Sequence, residues 1–428
     1  MSTREIIPAS SPVVGRIRPP GSRSLTNRAL IVAALADGES VIENAGLSDD
    51  TLICAEALGA LGIDTAVEKD ARRLCVRGCA GRVPSGPRDI YTGDSGTATR
   101  FLAALAATGR GRYHIDGSPR MRRRPIQDLL NGLAALGVRA ESEDGTGCPP
   151  VLVETLGLPA GRATVRGDVS SQYLSGLLMA APAAAGPLVL EVAGDLVSKP
   201  YVDMTLAVMH AFGLSVHRQG YARFEIPAPQ SYRGRRYAVE PDASSASYFL
   251  AAAAATGGRV TVEGLGRDSV QGDVRFADLL AAMGCEVEWS ADGVTVSGPR
   301  RLRGVDVDLG SMPDMVLTLA PLALLAEGRT TIRNVANLRV KESDRLAALA
   351  AELGRLGAKV RERADGLVID PPQKVSPAEV ATYNDHRMAM GLAVVGLAVP
   401  GLRIAGAECV SKTYPEFFED LERLTTGK

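Results

Sequence analysis

Six apolar, Ala-rich runs each close on a glycine along this chain: IVAALADG at Gly38, FLAALAATG at Gly109, LLMAAPAAAG at Gly186, FLAAAAATG at Gly257, LAPLALLAEG at Gly328 and LAVVGLAVPG at Gly401. The intervals between these glycines are 71, 77, 71, 71 and 73 residues. Runs of this length and composition, stopped by Gly, read as buried helices with C-terminal glycine caps. A short β-type run follows each one, ending in a turn residue at Asn44, Gly117, Gly194, Gly264, Asn334 and Gly406. A second, more amphipathic helix comes next and ends at Gly62, Gly137, Gly213, Gly284 and Gly357 in five of the units, with strand-like pairs such as CEVEWS and GVTVSG behind it. The repeating unit is therefore β-α-β-α-β-β, about 71 residues long and present six times. The sixth second helix, Phe417 to Leu424, runs to the end of the sequence. Its missing strands are expected from the N-terminal segment IIPASSPVVGRIRP. The fold class is mixed α/β (α+β). A repeat array without chemistry stays open at this point.

Composition narrows the function. Of 428 residues, 46% are hydrophobic and 23% charged, and 48 Lys+Arg stand against 49 Asp+Glu. Such a chain folds, and its net charge of -1 gives no drive toward nucleic acid or anionic membranes. Any anion must be held by local clusters. The six cysteines are scattered, and Cys75 and Cys79 lack a partner pair or a nearby His for zinc, so reduced thiols in a cytoplasmic protein are expected. Neither an export signal nor a membrane span is expected. No motif calls for a metal or a cofactor.

Function is expected where the first helix of each unit begins, because the first turn offers unpaired N–H groups and the positive end of the dipole. These starts read PGSRS at 20–24, GDSGT at 93–97, VSSQ at 169–172, DASS at 242–245, MPD at 312–314 and NDHR at 384–387. Any one of them is adequately explained as an N-cap. Six together, carrying Ser, Gly, Asp, His and Arg, point to an anion site. The loops before the second helices differ in the same manner: PRMRRRP at 119–125, VSKPY at 197–201, RVKESDR at 339–345 and VSKTYP at 410–415.

On these motifs, together with PGSRSLTNRAL, SGTATR, VSSQYLSGLLMAAP, GDLVSKPYVD, VEPDASSASYFLAAAA, RDSVQGDVRFAD, NLRVKESDRL, TYNDHRMAM and SKTYPEFF, the chain resembles the 5-enolpyruvylshikimate-3-phosphate synthases over essentially its whole length. The resemblance implies a two-domain, inside-out α/β barrel with three units per domain. One domain would take 1–20 and 241–428, the other 21–240, with the active site in the cleft between them and hinges near Pro20-Gly21 and Pro241-Asp242. It also implies transfer of the enolpyruvyl group of phosphoenolpyruvate to the 5-hydroxyl of shikimate 3-phosphate through a tetrahedral intermediate, without cofactor or metal, by a monomer that binds neither nucleic acid nor membrane. For shikimate 3-phosphate it implies Ser170, Ser171 and Ser198 on the phosphate, Ser24 and Arg28 on the carboxylate, Tyr201 along the ring, and Asn337 and Lys341 on the hydroxyls. For phosphoenolpyruvate it implies Arg124, Gln172 and Lys412 on the phosphate, Arg345 and Arg387 forking the carboxylate, Arg23 nearby, and Gly96 leaving room beside the ligand. Asp314 would take the 5-hydroxyl proton, and Glu342, assisted by Lys412, would serve the C3 carbon. The bland readings are that Asp314 is an N-cap and that Glu342 merely pairs with Arg345 three residues on.

Three positions depart from the family pattern. Arg23 replaces a lysine, Asp94 an asparagine, and Phe101 stands where proline is common. They motivate the alternative of a paralogue acting on a related cyclitol acid. The related transferase for UDP-N-acetylglucosamine carries a reactive Cys in the loop that is Gly117 to Pro125 here, and this loop has none.

Overall fold

The computed structural model describes residues 2–426. The chain divides into two compact units: one contains Met1–Pro20 and Glu240–Lys428, the other Gly21–Val239. We call them the terminal unit and the middle unit.

The middle unit contains three four-stranded sheets with one wiring. In the clearest, Gly161–Arg166 runs parallel to Leu188–Ala193, which pairs antiparallel with Arg223–Ile226, itself the partner of His217–Gln219. The sheet of Arg88–Tyr91, Gly111–Asp116, Val151–Thr155 and Arg139–Ser142 repeats the pattern. The terminal unit repeats it again with Asp306–Asp308, Thr330–Arg333, Gly366–Asp370 and Lys359–Arg363. In these three sheets the parallel pair needs a crossover, and an Ala-rich helix supplies it.

The N-terminal segment does not complete the sixth unit in the way expected from sequence. Only Thr3–Glu5 joins it, antiparallel to Arg403–Ala405, which gives a three-stranded sheet with Glu379–Ala381. Val14–Ile17 instead runs parallel to Arg259–Glu263 in the fourth unit. In return, Arg236–Ala238 lies parallel to Glu39–Glu43 in the first. The strands that precede the first and fourth Ala-rich helices are thus exchanged, because the chain passes from one unit to the other just after each of them.

The Ala-rich helices form the cores. All eleven residues of His386–Gly396 are buried, as are twelve of the fourteen in Ala243–Thr256. Small side chains allow this: a Cβ on Gly391 would fall 1.9 Å from the backbone oxygen of Leu317, so only glycine permits that approach. The expected glycine caps divide into two groups. All five glycines that end the second helices, Gly62 through Gly357, sit one residue beyond the C-cap with φ between +83° and +102°. Of the six that follow the Ala-rich helices, only Gly257 is itself the cap. The others lie further along, in the turn to the next strand, because those helices are capped by Ala36, Ala107 or Leu397 or run on into a 3-10 turn. No helix among the described residues is long and apolar enough to cross a membrane.

Candidate active site

In the middle unit, three Ala-rich helices begin with serine N-caps. Ser22 Oγ accepts from the N–H of Leu25, Ser95 Oγ from Ala98 and Ser170 Oγ from Gln172. Side chains then tie these starts together. Arg100 Nη1 donates to Gln172 Oε1 at 2.6 Å, and Gln172 Nε2 donates to Thr97 Oγ1 at 3.0 Å, which joins the beginnings of helices Gly96–Ala106 and Ser171–Ala180. Arg28 is buried and gives Nε to Thr205 Oγ1 at 2.8 Å, Nη1 to the backbone oxygen of Ser24 at 2.9 Å and Nη2 to that of Tyr201 at 3.0 Å. Burial lowers its pKa to about 10. Ser24 and Arg28, one helical turn apart, are thus joined in one hydrogen-bonded group with the distant Tyr201.

Arg124 and Gly96 are neighbours. A Cβ on Gly96 would lie 2.6 Å from the guanidinium carbon of Arg124, so the room this glycine leaves is occupied by that guanidinium. Arg124 is buried and its Nη1 points at the backbone oxygen of Asp94 at 3.4 Å. Of its neighbours in the arginine run, Arg122 pairs with Asp116 at the surface. Ser198 is buried with φ +55° and ψ +43°, a left-handed conformation costing a side-chain-bearing residue about 1–2 kcal/mol. Ser171 is buried one residue beyond the Ser170 cap.

The three departures have local explanations. Arg23 is bound to Asp50, a buried carboxylate in the first turn of helix Asp49–Ala60. Asp94 accepts a hydrogen bond from the Ser118 hydroxyl. Phe101 is wholly buried, and the Arg28 guanidinium lies 5.4 Å from its ring centre, a cation–π contact.

The terminal unit carries the linked carboxylates Asp314, Glu342 and Asp385 and the cations paired with them. Asp314, in the 3-10 turn Pro313–Met315, does not cap a helix. Its Oδ1 meets Arg345 Nη1 at 2.9 Å and its Oδ2 meets Arg387 Nη2 at 3.0 Å. Arg345 also contacts Glu342 Oε2 at 2.9 Å and Asp385 Oδ2 at 2.7 Å, and Glu342 Oε1 receives Lys412 Nζ at 3.0 Å. The simple pairing of Glu342 with Arg345 is therefore present, as one link of a longer chain. Burial alone would raise the Asp314 pKa, but Arg387, Lys341 and Arg345 outweigh it and hold the carboxyl well below its usual range. For Arg345, burial is outweighed by Asp385, Glu342 and Asp314, and its pKa moves up. Asn337 is buried with no hydrogen-bond partner for Oδ1, an acceptor suited to a ligand hydroxyl.

Sequence reading missed four residues of these groups. Asp385 counts there only as a helix start; it caps helix His386–Gly396 through the N–H of Arg387 and also forks Arg345. Arg100 closes the SGTATR motif without an assignment. Asp50 carries no motif signal, and Tyr248 lies in the VEPDASSASYFLAAAA motif without an assignment. Burial pushes the Tyr248 phenol up to about 12, with Arg387 pulling the other way. His386 is buried beside Asp385, its Nδ1 3.8 Å from the carboxylate.

Residues 7–421 match the model of the family described as EPSP synthase (3-phosphoshikimate 1-carboxyvinyltransferase). The chain is 47% identical to a chloroplastic 3-phosphoshikimate 1-carboxyvinyltransferase from Arabidopsis thaliana, over 96% of this chain and 83% of the plant protein. It is 45% identical to the 3-phosphoshikimate 1-carboxyvinyltransferase of Nostoc punctiforme, over 98% of both chains. A solved structure of EPSP synthase from Acinetobacter baumannii superposes with a TM-score of 0.83 at 25% identity, covering 99% of this chain and 98% of that one.

Proposed function

This chain belongs to the EPSP synthase family, and we infer from that premise that it transfers the enolpyruvyl group of phosphoenolpyruvate to the 5-hydroxyl of shikimate 3-phosphate, releasing phosphate. The observation that carries the reading is the chain Arg387–Asp314–Arg345–Glu342–Lys412, buried from Arg387 to Arg345 and half-buried at Glu342 and Lys412. It gathers four separate motifs into one set of carboxylate receptors and proton carriers. A related cyclitol acid is not favoured as the acceptor, since relatives from plants and bacteria at 45–48% identity carry the same name.

The assignment of residues follows the chemistry of each group. In the middle unit, the hydroxyls of Ser170, Ser171 and Ser198 suit the phosphate of shikimate 3-phosphate, and the Ser24, Arg28 and Tyr201 group suits its carboxylate and ring. Arg124 and Gln172 are assigned to the phosphate of phosphoenolpyruvate, as is Lys412 of the terminal unit, with Arg23 supplying a further positive charge. Arg345 and Arg387 are the fork for the carboxylate, and Asn337 and Lys341 take the acceptor's hydroxyls. Asp314 removes the proton of the 5-hydroxyl as its oxygen bonds to C2, while Glu342, with Lys412, delivers a proton to C3. In the second step C3 gives a proton back to Glu342 as the C2–O bond to phosphate breaks, and the proton held by Asp314 leaves with the phosphate. The balance is one enolpyruvyl ether and one inorganic phosphate. We further propose a cytoplasmic monomer; six free thiols suit a reducing compartment.

The test is phosphate release with both substrates, together with NMR identification of the product. Phosphate release and an enolpyruvyl ether at the 5-oxygen are expected. Turnover with shikimate but not with its 3-phosphate, or no product at all, would refute the reading.

A further inference from the structure

Helix Arg345–Arg355 reaches the segment ahead of Arg387 at two places. One is the fork between Arg345 and Asp385. The other is Glu352, seven residues further on, which belongs to neither set of substrate groups. Its carboxylate is completely buried. Oε2 accepts from the backbone N–H of Ala381 at 3.1 Å and faces Arg355 Nε at 3.2 Å, while Oε1 accepts from the Tyr383 phenol at 2.8 Å. A buried carboxylate requires such partners. Two of the three come from the stretch of chain that leads to Asp385.

That stretch is strained. Tyr383 and Asn384 both hold φ at +54°, and successive left-handed residues with side chains persist only where their surroundings over-determine them. Thr382 is anchored through Oγ1 to the backbone oxygens of Ala405 and Gly406, and the Asp385 N–H donates to the Thr382 oxygen at 2.8 Å. Tyr383 is 45% exposed, so its ring does not serve as core filling, and the bond to Glu352 is its tie to the helix.

We propose that Glu352 and Tyr383 are positioning residues for enolpyruvyl transfer: their hydrogen bond holds the left-handed turn at Tyr383 and Asn384, and the turn sets Asp385, which aligns both Arg345 and the helix start at Arg387. The proposal rests on the reading that these two arginines hold the carboxylate of phosphoenolpyruvate. It extends the site to a buried acid that never touches substrate.

Tyr383→Phe removes only the hydroxyl from a half-exposed ring and leaves Glu352 two of its three partners, so the variant is expected to fold with a Tm lowered by no more than a few degrees. KM for phosphoenolpyruvate should rise about tenfold, the scale of one lost hydrogen bond to a charged group, with KM for shikimate 3-phosphate unchanged. Glu352→Gln, which keeps an acceptor for the phenol, should move the same constant in the same direction by less. Equal KM values in Tyr383→Phe and the parent overturn the proposal, as does a fall in Tm with no selective change in KM. Arg387→Lys is measured alongside. If it leaves KM for phosphoenolpyruvate unchanged, the carboxylate assignment fails; if it raises that KM while Tyr383→Phe does not, only the positioning role fails.

Discussion

Asp314 Oδ1 lies 2.9 Å from Arg345 Nη1, so the proposed base is ion-paired with one of the cations assigned to the donor substrate's carboxylate. Its other oxygen is held by Arg387. These contacts depress its pKa and weaken it as a base. A substrate carboxylate drawing on the same two arginines would return basicity to Asp314, linking donor binding to proton removal. Asp314→Asn keeps the shape and one acceptor but cannot take a proton. We expect kcat to fall about 10²–10⁴-fold, the usual worth of a general base, with KM for both substrates changed far less. Steady-state kinetics with each substrate varied in turn decides it.

The same carboxylate has a consequence for stability. A group whose folded pKa lies below its unfolded value contributes stability that is fully present above the unfolded value, about 3.9, and is lost as pH falls through the folded one. Asp314 therefore contributes no pH dependence between pH 5 and 9. Acid titration of the folded protein below about pH 4 should show a steeper loss of stability in the parent than in Asp314→Asn, measured by urea midpoints at fixed pH values.

Gly96 separates a packing effect from a binding one. An added Cβ meets the far end of the Arg124 side chain, 2.6 Å away, and that end is able to move aside. Gly96→Ala should therefore fold with stability equal to the parent or up to about 1 kcal/mol greater, from helix propensity. The shifted guanidinium should raise KM for phosphoenolpyruvate several-fold and leave that for shikimate 3-phosphate alone. Paired denaturation and kinetic measurements check both halves.

What the sequence disclosed and what it withheld differ in kind. Spacing revealed the six units because a glycine closes each Ala-rich run, from Gly38 to Gly401, and a second series, Gly62, Gly137, Gly213, Gly284 and Gly357, closes five of the second helices at positive φ. It could not reveal the exchange of Val14–Ile17 with Arg236–Ala238, since a strand's partner is a matter of three-dimensional pairing that local pattern does not encode. Ser198, Arg124 and Arg345 drew attention because the loops before the second helices differ from unit to unit, and their proposed roles came from the family resemblance. Asp50 and Glu352 did not. Each is a carboxylate inside a helix, indistinguishable in sequence from a solvated one until its burial is seen.

Ser198 offers the sharpest separation of strain from recognition. Its left-handed backbone is unfavourable for any residue with a Cβ, and its hydroxyl is assigned to a substrate phosphate. Ser198→Ala removes the hydroxyl and keeps the strain; Ser198→Gly removes both. Each variant should raise KM for shikimate 3-phosphate by a similar factor, about tenfold for one hydrogen bond to a charged group. In denaturation, Ser198→Gly should exceed Ser198→Ala by about 1 kcal/mol, offset in part by the greater freedom of glycine in the unfolded chain.

The thiols supply the last expectation, and it bears on the rival chemistry in which a cysteine near the second helix reacts. Burial pushes Cys54 and Cys285 up to about 12 and Cys409 up to about 11, and Cys75, Cys79 and Cys148 are also shifted upward. The thiolate is the reactive form, so at pH 8 almost none is present at the three buried positions. A colorimetric thiol reagent at that pH should spare Cys54, Cys285 and Cys409 in the folded protein and titrate all six after denaturation. Because the proposed transfer runs on Asp314, Glu342 and Lys412, labelling the remaining three should leave kcat within about twofold of the parent. Rapid loss of turnover in step with modification of one cysteine would point instead to a thiol in the reaction, and mass spectrometry of the labelled peptide would identify it.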